Sequence, residues 1–524
     1  MVKALLLSGQ YVPNSLAAEL GKIPPVFLPV GGKRLFEYQV HFLKQYADEI
    51  FVSLPDDYEI PYIDSVKLQT AQVNILKTNP NLRLIEALNT CLHDVINNTD
   101  GLIILFGDTY IADLKRVEMD TISAHAGTMD YEWAILENVF SKYEKMDLKN
   151  KTLSGLLTFS QPNKLLESID LHPDGSIEST LKEYHSRVPI KIDESGTWHD
   201  FGHVQNYFKS KNMQSTERAF NNLKFNKSTV TKSSSDLSKI TAEADWFEGV
   251  PSMLKLYTPH VLKRSSTETL ASYTINNYDL STLSDIAVFG DLSDQSWMKI
   301  MNAVSQFLKD CRVYQAPTAR KDEIDAYFTQ KTMKRFQQFK KSKIYSELSK
   351  LQRLDGYPVP DIDQILKYTA EIIKPVNTYN CVIHGDLCFS NIFYDFRSEK
   401  IQLIDPRGIH PQGYPTIYGP QLYDIAKFAH SIIGAYDQII AGNITTCVSG
   451  ETLYLRRNIK FEEYEQRFLT IAKNTDIFSD VTEIQLQALV IQLFLAMLPL
   501  HSDNPERQVT IYAIACQLFR KMDD

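Results

Sequence analysis

Three oxygen-bearing side chains in the second half of the chain have types and spacings suited to phosphoryl transfer. Asp386 and Asn391 lie five residues apart, and Asp405 follows an apolar stretch at 401–404. Phosphoryl transfer needs a carboxylate that orients the attacking hydroxyl and oxygen ligands that hold Mg²⁺ on the phosphates. We therefore predict Asp386 as the catalytic carboxylate, with Asn391 and Asp405 as magnesium ligands. The alternative is a structural hairpin in which Asp386 and Asn391 cap turns.

The sequence around these residues resembles a known family. His-Gly-Asp at 384–386, four further residues and Asn391, followed by Ile-Asp-Pro at 404–406, resemble the catalytic and metal-binding loops of aminoglycoside phosphotransferase and choline kinase-like enzymes. The resemblance implies an α+β bilobal, protein kinase-like fold that uses ATP and Mg²⁺ and phosphorylates a small-molecule alcohol or sugar. It also implies that Asp424 braces the catalytic loop, with a helix-cap role as the equal alternative.

A lysine and a glutamate upstream have the order that a kinase-like fold requires. Segments 219–225 and 228–232 are predicted to pair as a hairpin that ends at Lys232, and Glu243 lies on the predicted helix that follows. In kinase-like folds a strand lysine binds the nucleotide phosphates, and a helix glutamate holds that lysine in place. We predict these roles for Lys232 and Glu243, with solvated surface charges as the alternative. Segment 273–278 is expected to join the two lobes.

The first half of the chain alternates predicted strands with predicted helices. Apolar strands are expected at 5–7, 50–54 and 102–106, and amphipathic helices at 35–46 and 84–96. This alternation predicts an open α/β sheet, whose ligands bind beyond the carboxyl ends of the strands. Asp108 comes directly after the third strand, so we expect the sheet to present it to a metal or a nucleotide.

A second resemblance connects Asp108 with a distant aspartate. Segment 27–35, which contains Leu-Pro-Val, resembles a segment of sugar nucleotidyltransferases, Gly-Asp at 107–108 resembles their metal-binding aspartate, and segment 198–207 resembles the region of their second one. The resemblance implies that Asp108 and Asp200 chelate one Mg²⁺ against the phosphates of CTP or UTP. A strand-end cap is the alternative for Asp108. A glycosyltransferase, whose GT-A-like fold also places an aspartate at a strand end, is the alternative for the domain.

The first loop departs from the nucleotidyltransferase pattern. Those enzymes open with a glycine-rich loop whose backbone amides hold the triphosphate, and they carry a lysine between two prolines. Here the loop reads Ser-Gly-Gln-Tyr at 8–11, and Pro25 occupies the lysine position. We predict that Lys22, Lys33 or Arg34 supplies the missing cation.

Length and composition indicate a globular protein of more than one domain. A chain of 524 residues is too long to fold around a single hydrophobic core. We predict domains at 1–212 and 213–524, and we predict that the second has a small lobe at 213–280 and a large lobe at 281–524. Hydrophobic residues make up 44% of the chain and charged residues 23%, as in ordinary globular proteins. The net charge of -9 argues against nucleic-acid binding.

Cysteine usage and the apolar tracts indicate where the protein works. The six cysteines include no Cys-x-x-Cys pair, which favours a reducing cytosol over zinc or redox chemistry. The longest apolar tract, at 488–500, is shorter than a bilayer span. We expect a cytoplasmic protein without membrane insertion. The sequence does not predict its oligomeric state.

The two resemblances together imply two consecutive reactions on one chain. ATP would phosphorylate a hydroxyl of a sugar, polyol or amino alcohol, and the product would then be joined to a nucleotide, as in bacterial capsule and surface polysaccharide biosynthesis. One alternative is an active kinase whose N-terminal domain is a degenerate nucleotide or sugar binder. Another is a non-catalytic scaffold in a biosynthetic assembly.

Overall fold

The computed structural model describes residues 1–97, 99–127, 151–172, 175–213, 222–226, 228–318 and 322–523. The chain divides into two compact units. The first comprises Met1–Ser215 together with Phe289–Asp291, and the second comprises Thr216–Val288 together with Leu292–Asp524. Each unit is described below by itself.

The first unit alternates strands and helices. Its strands are β1 (Val2–Leu7), β2 (Pro29–Val30), β3 (Lys33–Arg34), β4 (Glu49–Pro55), β5 (Val73–Thr78), β6 (Gly101–Phe106), β7 (Thr109–Ala112), β8 (Thr121–Ala126), β9 (Lys151–Phe159), β10 (Lys191–Asp193) and β11 (Thr197–Asp200). Its helices are α1 (Asn14–Leu20), α2 (Leu35–Leu43), α3 (Tyr62–Thr70), α4 (Leu84–Val95), α5 (Pro162–Asp170), α6 (Ile177–Arg187) and α7 (Val204–Met213), with a 3₁₀ turn at Pro25–Phe27.

Seven strands of this unit form one mixed sheet in the order β10-β8-β9-β6-β1-β4-β5. Strands β6, β1, β4 and β5 are parallel, whereas β9 is antiparallel to both β6 and β8. Strands β1 and β6 are apolar and buried along most of their length, because helices pack on both faces of the sheet. The predicted α/β sheet is therefore present, and the antiparallel β9 is an addition that the sequence did not predict.

The register of the central strands brings two loops to one edge of the sheet. Leu7 of β1 pairs with Phe106 of β6, so the loops that begin at Ser8 and Gly107 start side by side. A Cβ atom on Gly107 would lie 2.6 Å from the Cβ of Ser8, so a larger residue would displace the first loop. Asp108 therefore stands at the carboxyl edge of the sheet, as predicted.

The two predicted helices of the first unit end slightly earlier than expected. Helix α2 ends at Leu43 rather than at Tyr46 because the N–H groups of Gln45 and Tyr46 bond three residues back, which tightens the last turn. Tyr46 still packs against Phe42, with 5.4 Å between the ring centroids. Helix α4 ends at Val95 instead of residue 96.

The second unit begins with strands and continues mainly as helices. Its strands are β12 (Asn222–Phe225), β13 (Thr229–Ser234), β14 (Val261–Ser266), β15 (Ala271–Asn276), β16 (Arg353–Leu354), β17 (Tyr357–Pro358), β18 (Asn380–Val382), β19 (Ile392–Asp395), β20 (Lys400–Leu403), β21 (Tyr418–Pro420), β22 (Ile444–Ser449) and β23 (Thr452–Arg457). Its helices are α8 (Leu237–Gly249), α9 (Leu283–Phe289), α10 (Asp294–Arg312), α11 (Glu323–Asp325), α12 (Lys331–Phe339), α13 (Lys343–Leu348), α14 (Ile362–Ile373), α15 (Gln421–Ala429), α16 (Tyr436–Ile440), α17 (Phe461–Lys473), α18 (Glu483–Met497) and α19 (Pro505–Asp523). A π-helical turn, Ala326–Gln330, joins α11 to α12, and 3₁₀ turns lie at Leu254–Tyr257, Phe389–Asn391 and Leu498–His501.

The first strands of this unit form an antiparallel sheet in the order β12-β13-β15-β14. Alternate residues of β15 are buried, and these residues belong to the same core as the apolar stripe of α8. Strands β12 and β13 are the predicted hairpin, although positions 219–221 and 227 of that prediction lie outside the described residues. The predicted connecting segment at 273–278 overlaps the end of β15.

The remaining helices bury a large apolar core. Among the described residues, Glu483–His501 is the helix whose length and mean hydropathy of 1.6 would suit a membrane span, and 67% of it is buried inside the protein. A helix that is apolar all round and covered by its own chain has the pattern of a core helix. Two short pairs of strands, β18 with β21 and β19 with β20, lie in this helical part.

Candidate active site

The loop between β18 and β19 carries the predicted catalytic residue. His384 begins the loop and is fully buried, where its Nδ1 accepts the N–H of Asp386 at 3.3 Å and its Nε2 donates to the carbonyl of Ile404 at 3.0 Å. Burial lowers the pKa of His384 to about 4, so the ring stays neutral and keeps this pattern of donor and acceptor. His384 thereby connects the loop to the end of β20, one residue before Asp405.

Asp424 braces the same loop from α15. Its two carboxylate oxygens accept the backbone N–H groups of His384 and Gly385, each at 2.7 Å. Burial raises the pKa of Asp424 to about 7, and the two N–H donors oppose that rise by stabilising the charged form. Pro420, rather than Asp424, is the N-cap of α15, so the bracing role holds and the helix-cap alternative does not.

Asp386 is held between an amide and an ammonium group. The Nδ2 of Asn391 donates to the Oδ2 of Asp386 at 3.1 Å and to its carbonyl at 2.9 Å, because the 3₁₀ turn at Phe389–Asn391 folds the chain back. The Nζ of Lys427 lies 2.8 Å from the Oδ1 of Asp386. Burial favours the neutral acid, but Lys427 outweighs it and holds the pKa of Asp386 well below its usual range. Asp386 is therefore an ionised acceptor, and its side chain is 40% exposed.

Lys232 lies between two carboxylates from different segments. Its Nζ is 2.8 Å from Glu243 Oε2 and 3.0 Å from Asp405 Oδ1, and Tyr273 donates to the same Glu243 oxygen at 2.9 Å. The Lys232 and Glu243 side chains are 5% and 3% exposed, which excludes the surface-charge alternative. Burial disfavours the ammonium, but the two carboxylates reverse that effect and raise the pKa of Lys232. Lys232 therefore remains a cation.

Asp405 has an unusual backbone and an accessible side chain. Its φ of 56° places it in the left-handed region, which a non-glycine residue occupies at a cost of about 1 to 3 kcal/mol. Its carboxyl group is 41% exposed although it contacts the buried Lys232. The surrounding contacts therefore hold a strained residue with one carboxylate open to solvent, as a metal ligand requires.

Close packing ties helix α8 to both loops of the site. A Cβ atom on Gly408, whose φ is +62°, would lie 2.0 Å from the carbonyl oxygen of Ala242, so only glycine lets the loop after Asp405 run against this helix. The Nε1 of Trp246 donates to the carbonyl of Ile383 at 2.7 Å, just before the catalytic loop. These contacts fix the position of Glu243, and through it Lys232.

The oxygen atoms at this site suit magnesium. Asn391 turns its Nδ2 toward Asp386, which leaves its Oδ1 with one contact, the hydroxyl of Ser390 at 3.5 Å. Carboxylate and amide oxygens are the donors that Mg²⁺ prefers. The described residues contain no group of three or more His, Cys, Asp or Glu side chains arranged for a metal. Asn391 and Asp405 would therefore need phosphate oxygens or water to complete the coordination.

The sequence prediction missed Lys427, Trp246 and the structural role of His384. A signal for Lys427 was present, because it lies three residues after Asp424 on one helix and so shares its face. No local pattern indicates that this lysine contacts Asp386, which lies 41 positions earlier in the chain. The pairing follows from how α15 packs against the catalytic loop.

The first unit brings Asp108 and Asp200 to one place. Strands β7 and β11 pair antiparallel with Thr109 opposite Asp200, and Phe201 donates its N–H to the carbonyl of Asp108 at 2.8 Å. A Cβ atom on Gly202 would lie 2.4 Å from Asp108 Oδ2, so glycine is needed where the segment after Asp200 passes this carboxylate. Burial and the nearby Asp200 raise the pKa of Asp108 to about 6.

Backbone and side-chain nitrogen atoms surround Asp200. Its Oδ1 accepts the N–H of Gly202 at 3.0 Å, and its Oδ2 lies 2.8 Å from His203 Nδ1 and 2.7 Å from Asn206 Nδ2. The hydrogen bond with Asp200 raises the pKa of His203 despite partial burial. A divalent cation would remove the repulsion between the two aspartates, and their oxygen atoms suit magnesium.

The loop after β1 uses its polar groups internally. Ser8 donates its N–H to Ser53 Oγ at 2.8 Å, and Val26 donates its N–H to Ser8 Oγ at 3.3 Å. A Cβ atom on Gly9 would lie 2.2 Å from Thr78 Oγ1, so the loop packs closely on the neighbouring strand. The N–H groups of Ser8 and Val26 are therefore not available to a triphosphate.

The predicted substitute cations of the first unit have different surroundings. Arg34 is buried, with Asp64 at 2.8 Å from its Nη2 and the Phe27 carbonyl at 2.7 Å from its Nη1, which is a structural arrangement. Lys33 is exposed, with its Nζ 5.8 Å from the centroid of the Tyr38 ring. Lys22 pairs with Asp57 at 3.5 Å. Of the three, Lys33 is the cation with no carboxylate near it among the described residues.

A cavity in the second unit lies away from these residues. It has a volume of about 140 Å³ and is lined by residues of α8, β14 and β15, including Ile240, Ala244, Arg264 and Ser272. None of the residues around Asp386 or Asp405 lines it. The cavity is therefore not formed by the residues of the candidate site.

Comparisons with known proteins return distant structural likenesses. No family model and no curated protein matches the chain. A thermostable mutant of the aminoglycoside phosphotransferase APH(4)-Ia, in a ternary complex with AMP-PNP and hygromycin B, is 13% identical over 58% of this chain and 92% of its own, with a TM-score of 0.38. The inositol-1-phosphate CTP transferase from T. maritima is 12% identical over 40% of this chain and 94% of its own, with a TM-score of 0.31. HddC from Yersinia pseudotuberculosis is 18% identical over 41% of this chain and 99% of its own, with a TM-score of 0.28. Likeness at this level assigns no activity, and the proposals below depend on the residues of this chain.

Proposed function

We propose that the second unit transfers the γ-phosphoryl group of ATP to a hydroxyl of a small molecule. One observation supports this most strongly: Lys232 contacts both Glu243 and Asp405, and Asp386 contacts Asn391, although these residues come from separate segments. Phosphoryl transfer requires a cation on the phosphates, a residue that holds this cation in place, ligands for the metal, and a carboxylate that orients the attacking hydroxyl. These residues can supply all four. In this proposal the sheet with α8 is the small lobe of a kinase-like fold, and the helical part is the large lobe.

Each side chain has a defined task in the proposed reaction. Lys232 binds the nucleotide phosphates, and Glu243 keeps its ammonium group in position. Asp386, kept ionised by Lys427, accepts a hydrogen bond from the acceptor hydroxyl and aligns it for in-line attack on the γ-phosphorus. Asn391 and Asp405 hold Mg²⁺, which would neutralise the charge of the phosphates when bound.

The test is ADP formation by the full-length chain with Mg²⁺, ATP and a panel of sugars, polyols and amino alcohols. Asp386→Asn should lower the rate about 10²- to 10⁴-fold, because a positioned general base is removed. Asp363→Asn is the matched control, since Asp363 is an exposed carboxylate that pairs with Lys340 on the surface. If Asp386→Asn forms ADP at the wild-type rate, the assignment is wrong. A scaffold without activity would form no ADP with any acceptor.

We infer a second activity for the first unit, which is nucleotidyl transfer from CTP or UTP to the phosphorylated product. The convergence of Asp108 and Asp200 supports a magnesium-bound nucleotide at the carboxyl edge of the sheet. Lys33 is exposed and, unlike Lys22 and Arg34, has no carboxylate near it among the described residues, so it is the lysine we assign to the missing cation. The two steps would activate a sugar or alcohol for surface polysaccharide synthesis in the bacterial cytoplasm, where these nucleotides are made.

The internal hydrogen bonds of the first loop favour the alternative in which the first unit binds a nucleotide or sugar without transferring it. Pyrophosphate release separates the two possibilities. Transfer predicts pyrophosphate from CTP or UTP and the phosphorylated acceptor, and its loss in Asp108→Asn. A degenerate binder would release ADP from the kinase step and no pyrophosphate. Release of nucleoside diphosphate from an added nucleotide sugar would instead indicate a glycosyltransferase.

A further inference from the structure

A group of cations adjoins the catalytic loop of the second unit. We define the cationic cluster as Lys331 and Arg335 of α12 together with Arg407. The two α12 residues are four positions apart and so share one face of the helix. Lys331 donates to the hydroxyl of Tyr423, and Arg407 Nη1 lies 3.2 Å from the same oxygen. Lys331 Nζ also lies 4.4 Å from the centre of the Tyr423 ring.

The cluster lies directly against the residues that carry the reaction. Arg407 donates its backbone N–H to the carbonyl of His384 at 2.9 Å. A Cβ atom on Gly385, whose φ is +79°, would lie 2.6 Å from the Cβ of Arg407, so the stem of this arginine packs on the residue before Asp386. Tyr423 is adjacent to Asp424, which braces that loop. A molecule whose hydroxyl reaches Asp386 would therefore lie near the cluster.

The charges of the cluster are not balanced by carboxylates. In the part of the chain that the structure describes, none of the three forms a salt bridge, and Arg335 donates to the carbonyl of Ala496 at 3.4 Å. The neighbouring carboxylates have other partners: Asp386 pairs with Lys427, Asp424 accepts two backbone N–H groups, and Glu323 pairs with His410 at 3.1 Å. Lys331 is 8% exposed. Buried cations are normally paired, so this arrangement lacks an anion.

The electrostatics of Lys331 agree with that geometry. Burial lowers the pKa of Lys331 well below its usual range, the nearby Arg407, Arg335 and Lys427 lower it further, and the charge of Asp386 does not offset them. Burial and Arg407 also lower the pKa of Arg335. An oxyanion placed among these groups would restore the charge of Lys331 and would accept hydrogen bonds from both arginines.

We propose that the cationic cluster binds an oxyanion, a carboxylate or phosphate, on the acceptor itself, so that the substrate of the second unit is an acidic sugar or polyol. This inference rests on the proposed phosphotransferase function. Of the acceptor classes that the sequence leaves open, amino alcohols are disfavoured because a second cation would be repelled here. The nucleotide phosphates already have Lys232, which belongs to the sheet and not to α12.

Matched acceptors test the inference on the full-length chain. Calorimetry would compare the binding of a neutral hexose, the corresponding hexuronate, its 6-phosphate and its amino derivative, and ADP formation would follow their turnover with Mg²⁺ and ATP. The hexuronate or the 6-phosphate should bind at least about tenfold more tightly than the neutral sugar, because charge-assisted hydrogen bonds are gained. Comparison of these two acidic ligands identifies carboxylate or phosphate as the recognised group. Equal or tighter binding of the neutral or amino sugar would overturn the inference.

Substitutions locate the recognition in the cluster. Arg407→Gln and Arg335→Gln should each raise KM for the acidic acceptor about tenfold or more and leave KM for ATP within about twofold. Lys343→Gln is the control, since that lysine is 90% exposed and lies on the next helix. A rise in KM for ATP alone would mean that the cluster serves the nucleotide, and the inference would fail.

Lys331→Met distinguishes a binding role from a structural one. Lys331 is a buried amine that pairs with no carboxylate in the described part of the chain, so replacing it by an apolar side chain should raise the melting temperature of the free protein while acceptor affinity falls. If the variant loses stability and keeps its affinity for the acidic acceptor, Lys331 has a structural role and does not bind the acceptor. The two proposals also fail differently. Binding of acidic sugars without ADP formation would contradict phosphotransfer alone, whereas phosphorylation of neutral sugars in preference would contradict the acidic acceptor alone.

Discussion

The two units use opposite electrostatic arrangements at their acidic sites. In the second unit each of the four carboxylates described at the site contacts a cation or backbone N–H groups: Asp386 contacts Lys427, Asp405 and Glu243 share Lys232, and Asp424 accepts two backbone N–H groups. In the first unit Asp108 and Asp200 lie together, and His203 is the titratable partner that the structure gives them. The two arrangements shift the pKa values in opposite directions. The pKa of Asp386 lies below its usual range, and the pKa of Asp108 is raised to about 6.

This difference indicates what each site needs in order to work. Carboxylates that already contact a cation or backbone N–H groups keep their geometry without a ligand, so the proposed catalytic residues of the second unit are preorganised. Two unneutralised aspartates are more stable when a cation binds, so the first unit should depend on magnesium for both charge state and stability. Substitutions that remove one charge at either site test this difference.

Lys232→Met should have the largest effect. It removes the phosphate-binding cation, so kcat/KM for ATP should fall about 10²- to 10³-fold. It also leaves Glu243 buried without its partner, which should cost about 3 to 5 kcal/mol in the free energy of unfolding. Both quantities would be measured by steady-state ADP assays and urea unfolding. Lys263→Met is the control, because Lys263 is exposed on strand β14 of the same sheet. An unchanged kcat/KM for ATP would contradict the assigned role.

Lys427→Met should change the pH dependence of the kinase reaction. In the wild type the pKa of Asp386 lies well below its usual range, so ionisation of Asp386 should not limit activity between about pH 5 and 8. An acidic decline of the wild type within this range would come from Asp424, whose pKa burial raises to about 7. Lys427→Met removes the main group that opposes burial, so the pKa of Asp386 should rise and the acidic decline in activity should move to higher pH than in the wild type by at least about one pH unit. His384 and His430 stay neutral in this range, because burial lowers their pKa values to about 4 and about 3.

The measurement is kcat/KM as a function of pH for wild type and Lys427→Met, with Lys427→Arg as the charge-conserving comparison. Lys427→Arg should keep the pH profile of the wild type. If Lys427→Met lowers the rate equally at every pH, Lys427 would act on the phosphates instead of on Asp386.

Asp108→Asn should have the smallest effect, and it should stabilise the protein, whereas Lys232→Met should destabilise it. The folded protein holds the pKa of Asp108 near 6, above its ordinary value, so this group's contribution to stability is full below about pH 4 and is lost as the pH rises through about 6. Removing the charge should therefore stabilise the magnesium-free protein at pH 8 by about 1 to 2 kcal/mol. Added Mg²⁺ should raise the melting temperature of the wild type and not that of the variant. Asp94→Asn, on the exposed face of α4, is the control. A magnesium response that persists in Asp108→Asn would exclude this site.

Local patterns in the sequence were sufficient for several features. The apolar runs at β1 and β6 predicted a sheet covered on both faces, since only strands buried on two sides lack alternation. The five-residue spacing of Asp386 and Asn391 placed them on one short turn, where a hydrogen bond connects them. The order of Lys232 and Glu243, on a strand and the next helix, predicted neighbours that the structure brings to 2.8 Å.

Other features depended on contacts between distant segments. The sequence suggested Arg34 as a ligand-binding residue, whereas a carboxylate 30 positions later, Asp64, holds it in the interior. Lys427 and the cationic cluster of Lys331, Arg335 and Arg407 carry no motif, and they matter because helices α12 and α15 pack beside the catalytic loop. The chain alone determines periodicity, turns and near-neighbour order, because these depend on interactions within a few residues. Only the tertiary structure decides which charges meet, because Coulomb energies depend on distances and burial that the folded topology creates.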